Sequence, residues 1–211
     1  EIRFCDWSSD VCSSDLHAQG SLLRKQNVFD DFIAVAQHLT DKGIAPAGKL
    51  AITGTSNGGL LMGAVLTQRP QLAQAVVSRV GVYDSLRNEL DPNGVFNIPE
   101  FGTVKDAQQF RALHAYSPYH RVQKPQQYPP ALFLTGANDS RVNPMHSRKM
   151  IARLQAANAS AVPILLRTSA ATGHGAGTPL SSQIEELTDE YAFIMGSLGS
   201  EEPVLDRKSV V

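Results

Sequence analysis

The sequence of 211 residues lacks any apolar run long enough to cross a bilayer. Its most hydrophobic stretches are broken by Gly, Gln or Pro within about ten residues, where a spanning helix needs about 20. An excess of either charge is also lacking: 19 Lys and Arg face 20 Asp and Glu, for a net charge of -1. Neither nucleic acid nor a membrane surface is favoured as a partner by that balance, and the chain reads as soluble. Cysteine and tryptophan are missing from residue 17 onward, because Cys5, Cys12 and Trp7 all fall in the opening segment. Neither a disulfide framework nor a redox compartment can therefore be argued from the body of the chain. Internal repeats and low-complexity tracts are absent as well. What is present is a 42% share of hydrophobic residues, enough for one sizeable core.

The two ends read differently from the middle. EIRFCDWSSDVCSSDL has neither a helical nor a strand period. Codons available for residues 6–16 include GCTCTTCCGATC, and those for the closing DRKSVV include its reverse complement, GATCGGAAGAGC. Such symmetry is expected of an insert flanked by ligated sequencing adapters, so residues 1–16 and 206–211 are read as non-native and set aside. The body, residues 17–205, then reads as an internal or C-terminal piece of a longer protein. Cytoplasmic and periplasmic locations stay equally open, since any leader would lie outside it.

Within the body, NVFDDFIAVAQHL carries a one-sided apolar stripe through Val28, Phe29, Phe32, Ile33, Val35, Ala36 and Leu39, which predicts a helix over 27–39. KLAITG predicts a strand, followed by a helix from residue 57 that ends before Arg69-Pro70. AQAVVSRVGVYD predicts a second buried strand running into a loop, and YPPALFLTG and VPILLRTS predict two more strands. Helices are expected at KDAQQFRAL, MHSRKMIARLQAAN and SSQIEELTDEYAFIMGSL, with residues 85–127 otherwise irregular. Apolar strands alternating with amphipathic helices imply an α/β fold, a mostly parallel sheet with helices on both faces. Ligands on such sheets bind beyond the carboxyl ends of the strands, so the residues just after each strand are the place to look for chemistry.

After the first strand, Gly54-Thr55-Ser56-Asn57-Gly58 satisfies G-x-S-x-G between a strand and a helix. The expectation is a sharp turn that lifts the Ser56 hydroxyl above the sheet, with Gly54 and Gly58 both needed for clearance and the Asn57 N–H aimed at a developing oxyanion. A chance match somewhere in a chain of this length is roughly a one-in-ten event at ordinary glycine usage, so the motif does not decide alone. A phosphate loop fits worse, because its glycine spacing and following Lys-Ser/Thr are missing. A serine nucleophile needs a base, and the base needs an acid. His174 lies between glycines just after the fourth strand, whereas His17, His38, His114, His120 and His146 sit in helices, in the irregular segment or at the edge of the body. Asp139 follows the third strand, with Asp84 as its rival beyond the second. The chain order Ser56, Asp139, His174 is that of the α/β-hydrolases.

These residues resemble the catalytic domain of the prolyl oligopeptidase family of serine peptidases. GSLLRKQNVFDDF, ITGTSNGGLLMG, QRPQL, VGVYD, IPEFGT, YSPYHRV, LTGANDSRVNPMHS and TGHGAG stand in the family's order. The resemblance implies an α/β-hydrolase fold whose N-terminal strands lie upstream of residue 17. It implies a peptidase acting on short peptides, with Ser56 as nucleophile, His174 as base and acid, Asp139 as orienting carboxylate and the Asn57 N–H as one oxyanion donor. Arg141 would hold a substrate carbonyl, and Val82, Phe101 and Val142 would wall the pocket for the residue before the scissile bond. No cofactor and no metal are implied. A tyrosine hydroxyl as second oxyanion donor and a β-propeller that restricts substrates would both lie upstream. Asn97 stands where members that cleave after proline carry a tryptophan, and an amide offers no aromatic face to a proline ring. An esterase or acylaminoacyl-peptidase-like hydrolase with the same triad is the alternative, and a catalytically inactive fragment is another.

Overall fold

The structure, a computed structural model, describes residues 16–46, 48–175 and 177–199. The readings made for residues 1–15 and 206–211 lie outside the described residues. Four strands, β1 (Ala51–Thr55), β2 (Ala75–Arg79), β3 (Ala131–Gly136) and β4 (Ile164–Ser169), form one parallel sheet in the order β1-β2-β3-β4. Between and around them run α1 (Gln26–Asp41), α2 (Asn57–Gln68), α3 (Ala107–Tyr116), α4 (Met145–Ala157) and α5 (Leu180–Ser197). Short helical turns occupy Asn88–Leu90, Gly94–Asn97, Ile98–Phe101 and Pro118–Arg121, so the segment expected to be irregular carries short helices beside the expected α3.

The central strands are buried along almost their whole length because both faces of the sheet are covered. Val76, Ala131 and Phe133 point into a cluster with Met62, Val65, Met150 and Leu154, beneath α2 and α4. Their alternate neighbours Val77, Leu132 and Leu134 point the other way and pack against Phe193 and Ile194 of α5. That is the period-2 alternation of a strand, with a hydrophobic layer on each side. α5 is also pinned by charge: the buried Glu190 accepts from the Thr53 hydroxyl at 2.8 Å and pairs with Arg79.

β2 stops at Arg79 because Val80 adopts φ 44, a value a β-branched residue rarely takes, and the chain turns out of the ladder there. Val35 belongs to the apolar stripe by sequence, yet it is 60% exposed. It lies about 120° around α1 from the buried Phe29, at 100° per residue.

Candidate active site

Ser56 stands between β1 and α2 with φ 61 and ψ -114. A non-glycine residue held there costs on the order of 1–3 kcal/mol and persists only where its surroundings impose it. Here the Ser56 N–H donates to the Arg79 carbonyl at 2.9 Å, while its own carbonyl accepts from the Leu60 N–H at 3.0 Å. The neighbouring strand and the first turn of α2 thus hold the residue from both sides. Asn57 is the first residue of α2, so its N–H has no intrahelical partner and stays available next to the hydroxyl.

The glycines divide their work differently from the expectation. A Cβ on Gly54 would lie 2.3 Å from the Gly58 carbonyl oxygen, so Gly54 is sterically required. Gly58, expected to be crowded, faces open space with nothing within 4 Å. Gly59 is the crowded one: a Cβ there would come 2.7 Å from both the Arg79 oxygen and the Gly81 Cα. Gly59 and Gly81 let α2 close onto the turn after β2, which is what brings Ser56 over the strand ends. Gly59→Ala is therefore expected to lower the melting temperature through a clash worth about 1–3 kcal/mol. Gly58→Ala is expected to leave it unchanged or raise it, since alanine favours a helix by up to about 1 kcal/mol over glycine. Thermal melts of the two variants side by side check the contrast.

The loops after β3 and β4 are fastened to each other. The Ala137 N–H donates to Ser169 O at 2.9 Å, the Asn138 N–H to Thr172 O at 3.1 Å, and the Asn138 amide to Ala170 O at 2.9 Å. Gly136 makes the approach possible, because a Cβ there would meet the carbonyl oxygens of Thr172 and Gly173 at 2.4 Å. Asp139 and His174, on these two loops, are consequently in contact: His174 Nδ1 lies 2.8 Å from Asp139 Oδ2. On the other side of the ring, His174 Nε2 lies 2.9 Å from Ser56 Oγ. Asp139 is 6% exposed, and its second oxygen, Oδ1, accepts from the N–H groups of Arg141 and Val142, each at 2.9 Å. An ionised carboxylate with that many donors fixes the imidazole with its proton on Nδ1, leaving Nε2 free to accept from the serine hydroxyl.

The sequence matches the model of the Prolyl oligopeptidase family over residues 9–201. The chain belongs to the prolyl oligopeptidase family. It is 43% identical over 180 residues to a prolyl endopeptidase of Dictyostelium discoideum, an alignment covering 84% of this chain and 24% of that protein. A solved prolyl endopeptidase structure, studied for inter-domain dynamics in catalysis and specificity, superposes with a TM-score of 0.85 at 43% identity, covering 88% of this chain and 27% of its own. Prolyl oligopeptidase B from Galerina marginata, with a 35-residue hydrolysis and macrocyclization substrate bound and one histidine replaced by alanine, gives 0.85 at 35% identity and covers 89% and 27%. Companion structures of that enzyme with peptide substrates bound replace a serine or an aspartate. The chain thus spans about a quarter of the length of the relatives it matches. Like the catalytic domains of that family, it has the α/β-hydrolase fold.

Other positions singled out by the prolyl oligopeptidase resemblance lie in the segments that follow β2 and β3. Val82 and Val142 are buried, and so is Phe101, which ends the short helix Ile98–Phe101. Arg141 is exposed on the loop of Asp139. Asn97 is half-buried at the end of the turn Gly94–Asn97, beside Phe96, whose ring is 78% exposed. Asp91 and Asn93 tie this region to the Asp139 loop, a role that sequence reasoning missed. Asp91 pairs with His146 Nε2 at 2.9 Å and accepts from the Asn143 amide at 3.3 Å, and Asn93 donates to the Ser140 carbonyl. His146 in turn accepts through Nδ1 from the N–H groups of Tyr83 and Asp84, which accounts for it as a buried structural residue. Nothing local in the sequence signals these contacts, because each partner is more than 45 positions away. The rival acid Asp84 pairs with Lys149 and Arg87 and stands 3.9 Å from His120, not beside His174. Burial opposes its charge, but the Lys149 ammonium and the neighbouring cations hold its carboxyl below the ordinary value. His17, His38 and His114 are exposed.

Proposed function

We propose that the protein carrying this chain is a serine peptidase that hydrolyses bonds in short peptides through an acyl-enzyme on Ser56. The observation that carries this reading is the continuous relay from Ser56 Oγ through the His174 ring to Asp139, at 2.9 and 2.8 Å. His174 Nε2 takes the hydroxyl proton as Ser56 attacks the carbonyl carbon, and returns it to the leaving amine. The same nitrogen then deprotonates the water that releases the acyl group. Asp139 holds the ring and stabilises its charged form. The Asn57 N–H is one oxyanion donor, and the prolyl oligopeptidase resemblance supplies a tyrosine hydroxyl upstream as the other. Arg141 anchors a substrate carbonyl through its planar fork, with Val82, Phe101 and Val142 as walls and Asn97 at the pocket mouth. The substrate-restricting β-propeller, also upstream, belongs to the same proposal. The Galerina marginata structures support these assignments, since a histidine, a serine and an aspartate are each replaced by alanine in structures with peptide substrates bound.

Fluorophosphonate labelling of the intact protein tests the reading: labelling that persists equally in Ser56→Ala would sink it. Asn97 favours a second reading, an esterase or acylaminoacyl-peptidase-like specificity with the same triad. Rates on prolyl-peptide, acyl-peptide and simple ester substrates separate the two. On the first reading, Asn97→Trp should raise kcat/KM for prolyl peptides several-fold, by about the 0.5–1.5 kcal/mol of an aromatic stacking contact. An unchanged prolyl-peptide rate would count against a pocket at residue 97.

We also propose that these residues alone turn over poorly. β1 has β2 as its one partner among the described residues, which leaves its other edge open. Leu180, Ile184, Leu187, Tyr191 and Met195 form an exposed stripe along α5. Expressed without the rest of the protein, the chain is expected to aggregate on size-exclusion chromatography; a monomeric, active preparation would refute this.

A further inference from the structure

Behind the nucleophile turn lies a charged pair that the triad does not use. Lys25 precedes α1 and is 3% exposed, yet it carries an ammonium group. Its Nζ lies 2.5 Å from Glu100 Oε1, in the short helix Ile98–Phe101. The same oxygen accepts from the Asn57 side-chain amide at 3.3 Å. Lys25 Nζ also stands over the Phe101 ring, 5.3 Å from its centroid. His17 approaches Glu100 from the outer side, with Nδ1 3.7 Å from Oε2. The hydroxyl of Tyr116 is buried without a hydrogen-bond partner, and its phenol is pushed up first by burial and then by the Glu100 charge. Burial opposes ionisation of Glu100 itself, but Lys25, Asn57 and His17 together hold its carboxyl below the ordinary value.

Stability alone accounts poorly for this arrangement. The buried Lys25 ammonium loses hydration that its attraction to the part-buried Glu100 carboxylate only partly restores, and apolar residues of similar volume commonly serve a core as well. The pair does, however, reach both the residue whose N–H would meet the oxyanion and the ring that would wall the acyl pocket. A bare carboxylate beside Asn57 would repel the negative charge that develops on the substrate oxygen. Neutralised by Lys25, the same carboxylate can hold the Asn57 amide through a charge-assisted hydrogen bond without that penalty.

We infer that Glu100 and Lys25 are positioning residues for the acylation step: Glu100 fixes the aim of the Asn57 N–H through the Asn57 side chain, and Lys25 cancels its charge while seating Phe101. This rests on the peptidase reading of Ser56. Asn57→Ala is the direct probe, because it keeps the peptide N–H and removes only the tether. In the intact protein, with kcat expressed per serine titrated by fluorophosphonate, it is expected to lower kcat about tenfold and leave KM within about twofold. The loss is smaller than removal of a donor because the N–H is misaimed but not lost. Glu100→Gln in the Asn57→Ala background should add less than about twofold, since the tether is already gone. Lys25→Met should lower kcat more in the unaltered protein than beside Glu100→Gln, where no bare carboxylate remains. A purely structural pair would lower the melting temperature and the titrated fraction while leaving kcat per titrated serine alone. Asn57→Ala with kcat per titrated serine within twofold of the unaltered protein would overturn the inference, whether or not Lys25→Met folds. Absence of labelling at Ser56 in the unaltered protein would overturn the peptidase reading, and this inference with it.

Discussion

Ser56→Ala in the intact protein is expected to lower kcat by about 10⁶, the scale on which a serine triad fails when its nucleophile is removed. The loss should fall on kcat with KM little changed, because the missing oxygen makes its bond only on the way to the acyl-enzyme. The fold should survive. Ser56 keeps its unusual backbone through its N–H to Arg79 and its carbonyl to Leu60, neither of which involves the side chain. Alanine inherits the same φ of 61, so the melting temperature is expected to stay within a few degrees. A kcat within tenfold of the unaltered protein would mean that the hydrolytic centre lies elsewhere.

Asp139→Asn is expected to lower kcat by about 10⁴ while preserving the fold, and the reason lies in the two backbone donors on Oδ1. The N–H groups of Arg141 and Val142 can be met only by the amide oxygen of an asparagine. The amide nitrogen must then face His174 Nδ1, where it can only donate. His174 is forced to carry its proton on Nε2, which points it at Ser56 Oγ and leaves the hydroxyl with no base. The pH–rate profile and kcat of this variant, compared with Asp84→Asn, provide the check. Asp84 contacts Lys149 and Arg87 away from His174, so Asp84→Asn should affect stability more than kcat. An equal loss of kcat in both variants would contradict the assignment of the acid.

Much of the fold was legible because burial leaves a periodic record. The four strands and the helices that follow them fall within a few residues of their expected places, since each is marked by a run or stripe of apolar residues. Val80 marks a limit: AQAVVSRVGVYD reads as a strand running into a loop, but the point where the strand ends, at the φ of 44 on Val80, leaves no compositional mark. The glycines show the same limit. GTSNGG advertises a tight turn, but whether Gly58 or Gly59 is the crowded residue depends on Gly81, which sits on a different strand end. Contacts such as His146 with Asp91, or Lys25 with Glu100 across 75 positions, have no local signal at all.

By itself, the sequence determined the α/β class, the turn at Ser56 and the presence of an aspartate and a histidine just beyond later strands. These are properties of nearest neighbours along the chain: period, turn chemistry and order. The tertiary structure decided which groups touch. Ser56 and His174 are 118 positions apart and His174 and Asp139 are 35 apart, and they meet because the loops after β3 and β4 bond to each other over Gly136. Hydrogen bonds of that reach depend on the packing of whole strands side by side, and so become visible only when the sheet has formed.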